Sequence, residues 1–196
     1  MSRMKQVVVI AGPSGSGKNA LIRELIQRYP GSSLLVTATT RSPRSGEVDG
    51  VDYHFFSQER FDAELAAGNI PEHRFVPALD TYYGIYMPDL EARLKGGKIV
   101  FAQVDIEGAR LLKDRYGATT VFIMPESLDQ FRGRLRTRNP EWTQKEFEAR
   151  MKITEEEMRT HAPQYDYRVV NADGRLEDTI EQVVEIMRKE GYTLLS

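Results

Sequence analysis

The stretch "VVVIAGPSGSGKNALIREL" runs from Val7 to Leu25. Val7–Ala11 is a short, Val-rich apolar run of the kind that forms a strand buried on both faces. Gly12, Gly17 and Lys18 follow at the spacing of G-x-x-x-x-G-K-[ST], between the predicted strand and a predicted helix. In that context successive backbone N–H groups turn inward around phosphate oxygens. The helix N-terminus adds roughly half a unit of positive charge, and Lys18 reaches the outer phosphates. The predicted phosphate-binding residues are Gly12, Pro13, Ser14, Gly15, Ser16, Gly17, Lys18, Asn19 and Ala20. The glycine order is G-x-x-G-x-G, which does not fit the dinucleotide fingerprint G-x-G-x-x-G. One part of the motif is exchanged: Asn19, followed by Ala20, stands where a hydroxyl residue belongs.

Outward from this loop, short apolar runs alternate with helical patterns. Gln6–Ala11, Lys98–Asp105, Thr119–Met124 and Tyr167–Val170 read as strands. Asn19–Arg28, Met87–Leu94, Glu107–Tyr116, Ser127–Thr137, Glu146–Thr160 and Leu176–Lys189 read as helices. The alternation predicts an α/β fold, a parallel sheet with helices on both faces. Residues 34–88 break the pattern. They are rich in Thr, Arg, Gly and aromatics, with a strand-like "VDYHFF", and read as an inserted substrate lobe. Residues 1–33 and 89–196 then form the core domain. Polar Asn139–Arg150, opening on "NPEWT", reads as a mobile lid between two helices.

The chain has 196 residues, enough for one substantial core with a smaller lobe. A net charge of -2 gives no global field toward nucleic acid, so any anion site must be a local basic pocket. The absence of cysteine excludes disulfides, thiolate metal sites and cysteine nucleophiles. No apolar run reaches the ~18 residues of a membrane span, and a cytoplasmic protein without membrane or nucleic-acid partners is expected.

"TATTRSPRSGEVDGVDYHFF", Thr37–Phe56, narrows the field. With the phosphate loop it resembles guanylate kinase, whose pattern T-T-R-x-P-R-x-G-E-x-x-G-x-D-Y-x-F is met at every fixed position. The resemblance continues through "TYYG" (Thr81–Gly84), "VDIEGA" (Val104–Ala109), "RLRTR" (Arg134–Arg138), "EARM" (Glu148–Met151) and "YDYRVVN" (Tyr165–Asn171), nearly the whole chain. It implies a nucleoside monophosphate kinase of the P-loop class. ATP with Mg²⁺ is the implied phosphoryl donor, and GMP, with dGMP tolerated, the acceptor.

The resemblance places the acceptor phosphate on Arg41, Arg44, Tyr53 and Tyr83, where guanidinium forks and phenol hydroxyls suit phosphate oxygens. Glu47 reads as a residue that orients an arginine. Guanine falls to Thr37, Glu72 and Asp105; carboxylates accept from its N1–H and N2–H2 groups, which adenine does not offer. Tyr83 lies two residues further from Glu72 than in the family pattern, which points to a small insertion within "HRFVPALD". The catalytic cations implied are Lys18, Arg134, Arg138 and Arg150, and Asn171 falls near the adenine. Arg132 and Arg136 lie on other helix faces and read as solvated.

Three positions depart from the family: Asn19–Ala20, Ile85 and Gln103. The first and third remove groups from the metal site, leaving Asn19 and Asp105 for water-mediated contact. Ile85 removes a donor for guanine O6. Two alternatives follow from these exchanges: a guanylate-kinase-like binding module without catalysis, and a related kinase with another small phosphorylated acceptor. A monomer and a homodimer are both compatible with the sequence.

Overall fold

The computed structural model describes residues 5–195, without the side chains of Ala78, Gln130 and Arg138. Its core is a five-stranded sheet in the order β2-β7-β1-β8-β9. The strands are β1 (Val7–Ala11), β2 (Ser32–Leu34), β7 (Ile99–Ala102), β8 (Thr119–Pro125) and β9 (Tyr167–Asn171). Every neighbouring pair is parallel.

β1 is buried along its whole length, and its alternation feeds two cores. Val7, Val9 and Ala11 pack with Leu90 of α3 (Met87–Lys95) and with Ala109 and Leu112 of α4 (Ile106–Tyr116). Val8 and Ile10 pack with Leu21 and Leu25 of α1 (Lys18–Arg28) and with Ile180, Val183 and Met187 of α7 (Leu176–Lys189). A strand apolar on both faces thus demands a helix layer on each side.

A second sheet, in the order β4-β3-β6-β5, is built from β3 (Ala38–Thr39), β4 (His54–Phe55), β5 (His73–Val76) and β6 (Thr81–Gly84). With α2 (Gln58–Ala66) it has its own small core of Ala38, Phe56, Phe61 and Ile70. Leu34, the first residue expected in this lobe, closes β2 in the main sheet instead. Between β5 and β6, Pro77–Leu79 form one turn of 3-10 helix and Asp80 takes φ 48°. The turn accommodates the extra residues while the β5–β6 register continues from Val76–Thr81 to His73–Gly84.

Three elements differ from expectation for local reasons. Residues 139–150 are not a loop throughout: α6 (Gln144–Glu156) begins inside them. Thr143 and Glu146 form a capping box there, Thr143 N donating to Glu146 Oε2 at 2.8 Å and Glu146 N to Thr143 Oγ1 at 3.3 Å. α5 (Leu128–Arg138) and α6 pack as a hairpin around Phe131, Leu135, Phe147 and Met151. Arg136 is not solvated but stacks over Phe147, 4.2 Å from its ring centre. The helix expected to reach Thr160 leaves α geometry after Glu156 and continues as a π-helical turn, Glu157–His161. β7 stops at Ala102, three residues short of Asp105. Asp105 instead caps α4, its Oδ1 accepting from the N–H groups of Glu107 and Gly108, both at 3.1 Å. Among the described residues no helix is long and apolar enough to cross a membrane.

Candidate active site

The phosphate loop joins β1 to α1. Gly12, Gly15 and Gly17 all have positive φ, 140°, 97° and 94°. Gly17 is doubly constrained, because a Cβ there would lie 2.2 Å from Asn171 Nδ2. Asn171 is buried behind the loop. Its amide donates to Ser16 O at 2.8 Å and accepts from Thr179 Oγ1 at 3.0 Å. These bonds brace the loop from β9 and α7, so Asn171 buttresses the phosphate loop. Lys18 Nζ donates to the carbonyls of Gly12 (2.6 Å) and Pro13 (2.8 Å), curling over the loop. α1 starts with no side-chain cap and no acid in its first turn, which leaves its N-terminal dipole to an anion. Ser14, Gly15, Gly17, Lys18, Asn19 and Ala20 line a cavity of about 330 Å³ on the outer side of the loop.

Asn19 Oδ1 accepts from Gln103 Nε2 at 3.0 Å. The two exchanged positions therefore face each other across one side-chain hydrogen bond. No cluster of three or more His, Asp or Glu groups able to hold a metal ion occurs among the described residues.

The acceptor end is organised around Arg41. Its Nη1 and Nη2 fork onto Glu47 Oε2 and Oε1, each at 2.9 Å, and its Nε donates to Tyr83 Oη at 3.2 Å. Nη1 also donates to Ser42 O at 2.8 Å. That leaves one Nη2 hydrogen uncommitted. The hydrogen bonds from Arg41 and from the Arg44 backbone N–H hold the Glu47 carboxyl below the usual carboxylate range. Glu47 thus orients the arginine, as its place in the motif suggests. The rings of Tyr53 and Tyr83 meet edge to face at 5.7 Å beside this cluster. Arg44 projects from the adjoining exposed turn.

Thr37, Tyr53, Glu72, Tyr83 and Asp105, five residues expected at the acceptor, line one cleft of about 240 Å³. Burial pushes the Glu72 carboxyl up to about 7, with Asp105 and Glu107 adding like-charge repulsion and Arg74 opposing it. Ile85, only 1% exposed, forms an apolar wall against Gly108 of α4. Val104, Asp105, Gln103 and Arg74 also line a second cavity of about 290 Å³, together with Gly12 and Lys18. The cleft and the cavity at the phosphate loop therefore share a wall.

A family model described as guanylate kinase matches residues 4–190. This chain belongs to the guanylate kinase family. A guanylate kinase of Thermosynechococcus vestitus is 40% identical over 169 residues, covering 86% of each chain. One from Clostridium perfringens is 35% identical over 94% of this chain and 83% of its own. The crystal structure of guanylate kinase from Anaplasma phagocytophilum superposes with a TM-score of 0.69 at 26% identity, covering 98% of this chain and 90% of that one.

The arginines expected in the lid divide. Arg134 pairs with Asp173 beyond β9, and its Nε is buried without a hydrogen-bond partner among the described residues. Arg150 lies on α6, half-buried. The Arg138 side chain falls outside the described residues. Sequence reasoning missed Arg74, which lines both cavities, and Glu157, His161 and Tyr165, which wall the second. For Arg74 a signal existed: its position two residues after Glu72 in a strand repeats the cleft-facing side.

Proposed function

We propose that the chain transfers the γ-phosphoryl group of ATP to GMP, and to dGMP, giving ADP and the nucleoside diphosphate. The observation that carries this reading is the shared wall. Residues that line the carboxylate-bearing acceptor cleft also line the cavity holding Lys18 and Gly12. An acceptor phosphate held near Arg41, Arg44, Tyr53 and Tyr83 then faces a donor phosphate in the loop. In-line transfer needs no covalent enzyme intermediate; the protein's task is alignment and charge neutralisation.

Each group has a physical role. The loop N–H groups and Lys18 hold the donor phosphates, Lys18 exchanging the Gly12 and Pro13 carbonyls for phosphate oxygens. Arg44, the tyrosine hydroxyls and the remaining Arg41 hydrogen hold the acceptor phosphate. Glu72 and Asp105 accept from guanine N1–H and N2–H2, aided by Thr37. Arg134, with Arg138 and Arg150, neutralises charge on the transferring group once the α5–α6 hairpin closes. For this, Arg134 must leave Asp173.

Bound magnesium supplies charge neutralisation on the donor phosphates. The chain offers it hard oxygen atoms but no cage: the amide oxygens of Asn19 and Gln103 and the second carboxylate oxygen of Asp105. That donor set fits outer contacts through water, with the metal held chiefly by ATP and solvent.

The reaction belongs to purine nucleotide metabolism, and a cytoplasmic setting suits it. ADP release from ATP and Mg²⁺ with GMP, dGMP, AMP, CMP and UMP tests the reading. Turnover with GMP and dGMP well above the others is expected. Equal turnover with all five, or none with GMP, would overturn it.

A further inference from the structure

β5 lies antiparallel to β6 with Arg74 opposite Tyr83 and Phe75 opposite Tyr82. Side chains alternate across a strand. Glu72, Arg74 and Val76 face the acceptor cleft, while Phe75 stacks on Tyr82 at 4.8 Å and His73 lies beside Phe61 at 6.3 Å on the opposite face. The Arg74 side chain makes no hydrogen bond or ion pair with any described residue. Among the described residues it is the cleft's sole cationic side chain.

The chemistry of the cleft is lopsided without it. Glu72 and Asp105 accept hydrogen bonds, which suits the N1–H and N2–H2 groups of guanine. Guanine also presents two acceptors, O6 and N7, which need donors. Ile85 contributes only apolar surface, and Gln103 Nε2 gives one of its two hydrogens to Asn19. Tyr83 Oη accepts from Arg41 Nε, and its own O–H is assigned to the acceptor phosphate. A base acceptor buried without a donor loses its bonds to water and gains nothing in return. A guanidinium fork matches O6 and N7 together.

We propose that Arg74 is a specificity-determining residue of the acceptor site, donating to O6 and N7 of the base and so selecting 6-oxopurine over 6-aminopurine monophosphates. The inference rests on reading this cleft as the GMP pocket. Adenine carries an N6–H2 donor at the place of O6, which sets donor against donor beside Arg74. Arg74 also opposes the burial and the Asp105 and Glu107 charges that raise Glu72.

The test is equilibrium binding, by calorimetry, of GMP, IMP, AMP and 7-deaza-GMP to the native chain, R74M and R74K, with turnover measured in parallel. R74M is expected to weaken GMP and IMP by about 5- to 150-fold, the range of one bidentate base contact, and to lower the GMP-to-AMP affinity ratio. R74K keeps the charge without the fork and should recover only part of the loss. Loss of N7 in 7-deaza-GMP should weaken binding to the native chain and cost little further in R74M. An equal loss for all four ligands would put Arg74 on the phosphate and overturn the proposal, as would unchanged GMP binding in R74M. Native binding that prefers GMP without ATP-dependent turnover would sink the assigned reaction and leave the role of Arg74 standing.

Discussion

Gln103 donates through Nε2 to the side-chain oxygen of Asn19 at 3.0 Å, although 84 residues separate them in sequence. Each departs from the family pattern, one at a hydroxyl position and one at a carboxylate position. Together they replace a hydroxyl and a negative charge with two neutral amides joined by one hydrogen bond. The two exchanges thus form one structural unit at the start of α1 and the end of β7.

The pair predicts non-additive effects. N19S alone restores the hydroxyl but strands the Gln103 amide; it should tighten the apparent magnesium requirement by no more than ~1–2 kcal/mol, the value of one hydrogen bond to a charged partner. Q103D alone adds a negative charge near Asp105 and Glu72 and should raise the Glu72 carboxyl further. The double variant should improve magnesium dependence by more than the sum of its parts, because the residues are in contact. Magnesium titrations of turnover across the four proteins measure this coupling. Additive effects would mean that the two amides act separately.

Lys18 should matter to the reaction and not to the fold. K18A removes the cation from the loop but leaves the glycine geometry and the Asn171 buttress intact. Turnover should fall by at least ~10²-fold, the typical loss when one preorganised charge stabiliser is removed, with an unchanged circular dichroism spectrum. Near-native turnover would take Lys18 out of the mechanism.

Arg41 and Arg44, assigned to the acceptor phosphate, lie outside the lining of the cleft that holds Glu72 and Asp105. R44A should therefore raise KM for every monophosphate by a similar factor and leave their ranking unaltered. Steady-state kinetics on the nucleotide panel decide. A changed order of GMP against the others would show that phosphate and base recognition are not separable.

Glu72 gives a pH dependence with a defined sign. Its carboxyl is raised to about 7 by burial and by Asp105 and Glu107, and only the ionised form accepts from both N1–H and N2–H2. Guanosine affinity should rise about tenfold per pH unit below 7 and level off above it, with proton release on binding. Guanosine is the better ligand because the acceptor phosphate itself titrates near 6. E72Q should bind more weakly and flatten the profile. Stability follows the same shift in the opposite sense: the folded chain holds this proton more tightly than the unfolded one, so its contribution falls as pH rises from about 4.5 to 7.

Much of this was legible in the sequence, and the exceptions have physical causes. The strand, loop and helix around Lys18 carry strong local signals. Buried Val-rich β1, the glycines and the apolar face of α7 each point to one structure. β2, β5 and β6 carried no such signal, because strands of three or four residues are held by cross-strand partners and not by their own periodicity. The polar "NPEWTQKE" segment hid a helix start, since a capping box is written in polar residues. Arg41, Arg44, Tyr53 and Tyr83 were readable from a dense motif. Arg74 was readable only through its two-residue spacing from Glu72, a signal that is usable once His73–Val76 is recognised as a strand. The Asn19–Gln103 pair was invisible because both residues read only as losses until the fold put them together.

The most direct measurement is a single-turnover reaction with ATP labelled in the γ-phosphate, excess enzyme, Mg²⁺ and GMP, with the products separated by chromatography. The account predicts that the label appears in the β-phosphate of GDP in step with ADP formation, with none passing through a labelled protein. Label released as inorganic phosphate, or ATP left intact while GMP binds, would contradict it.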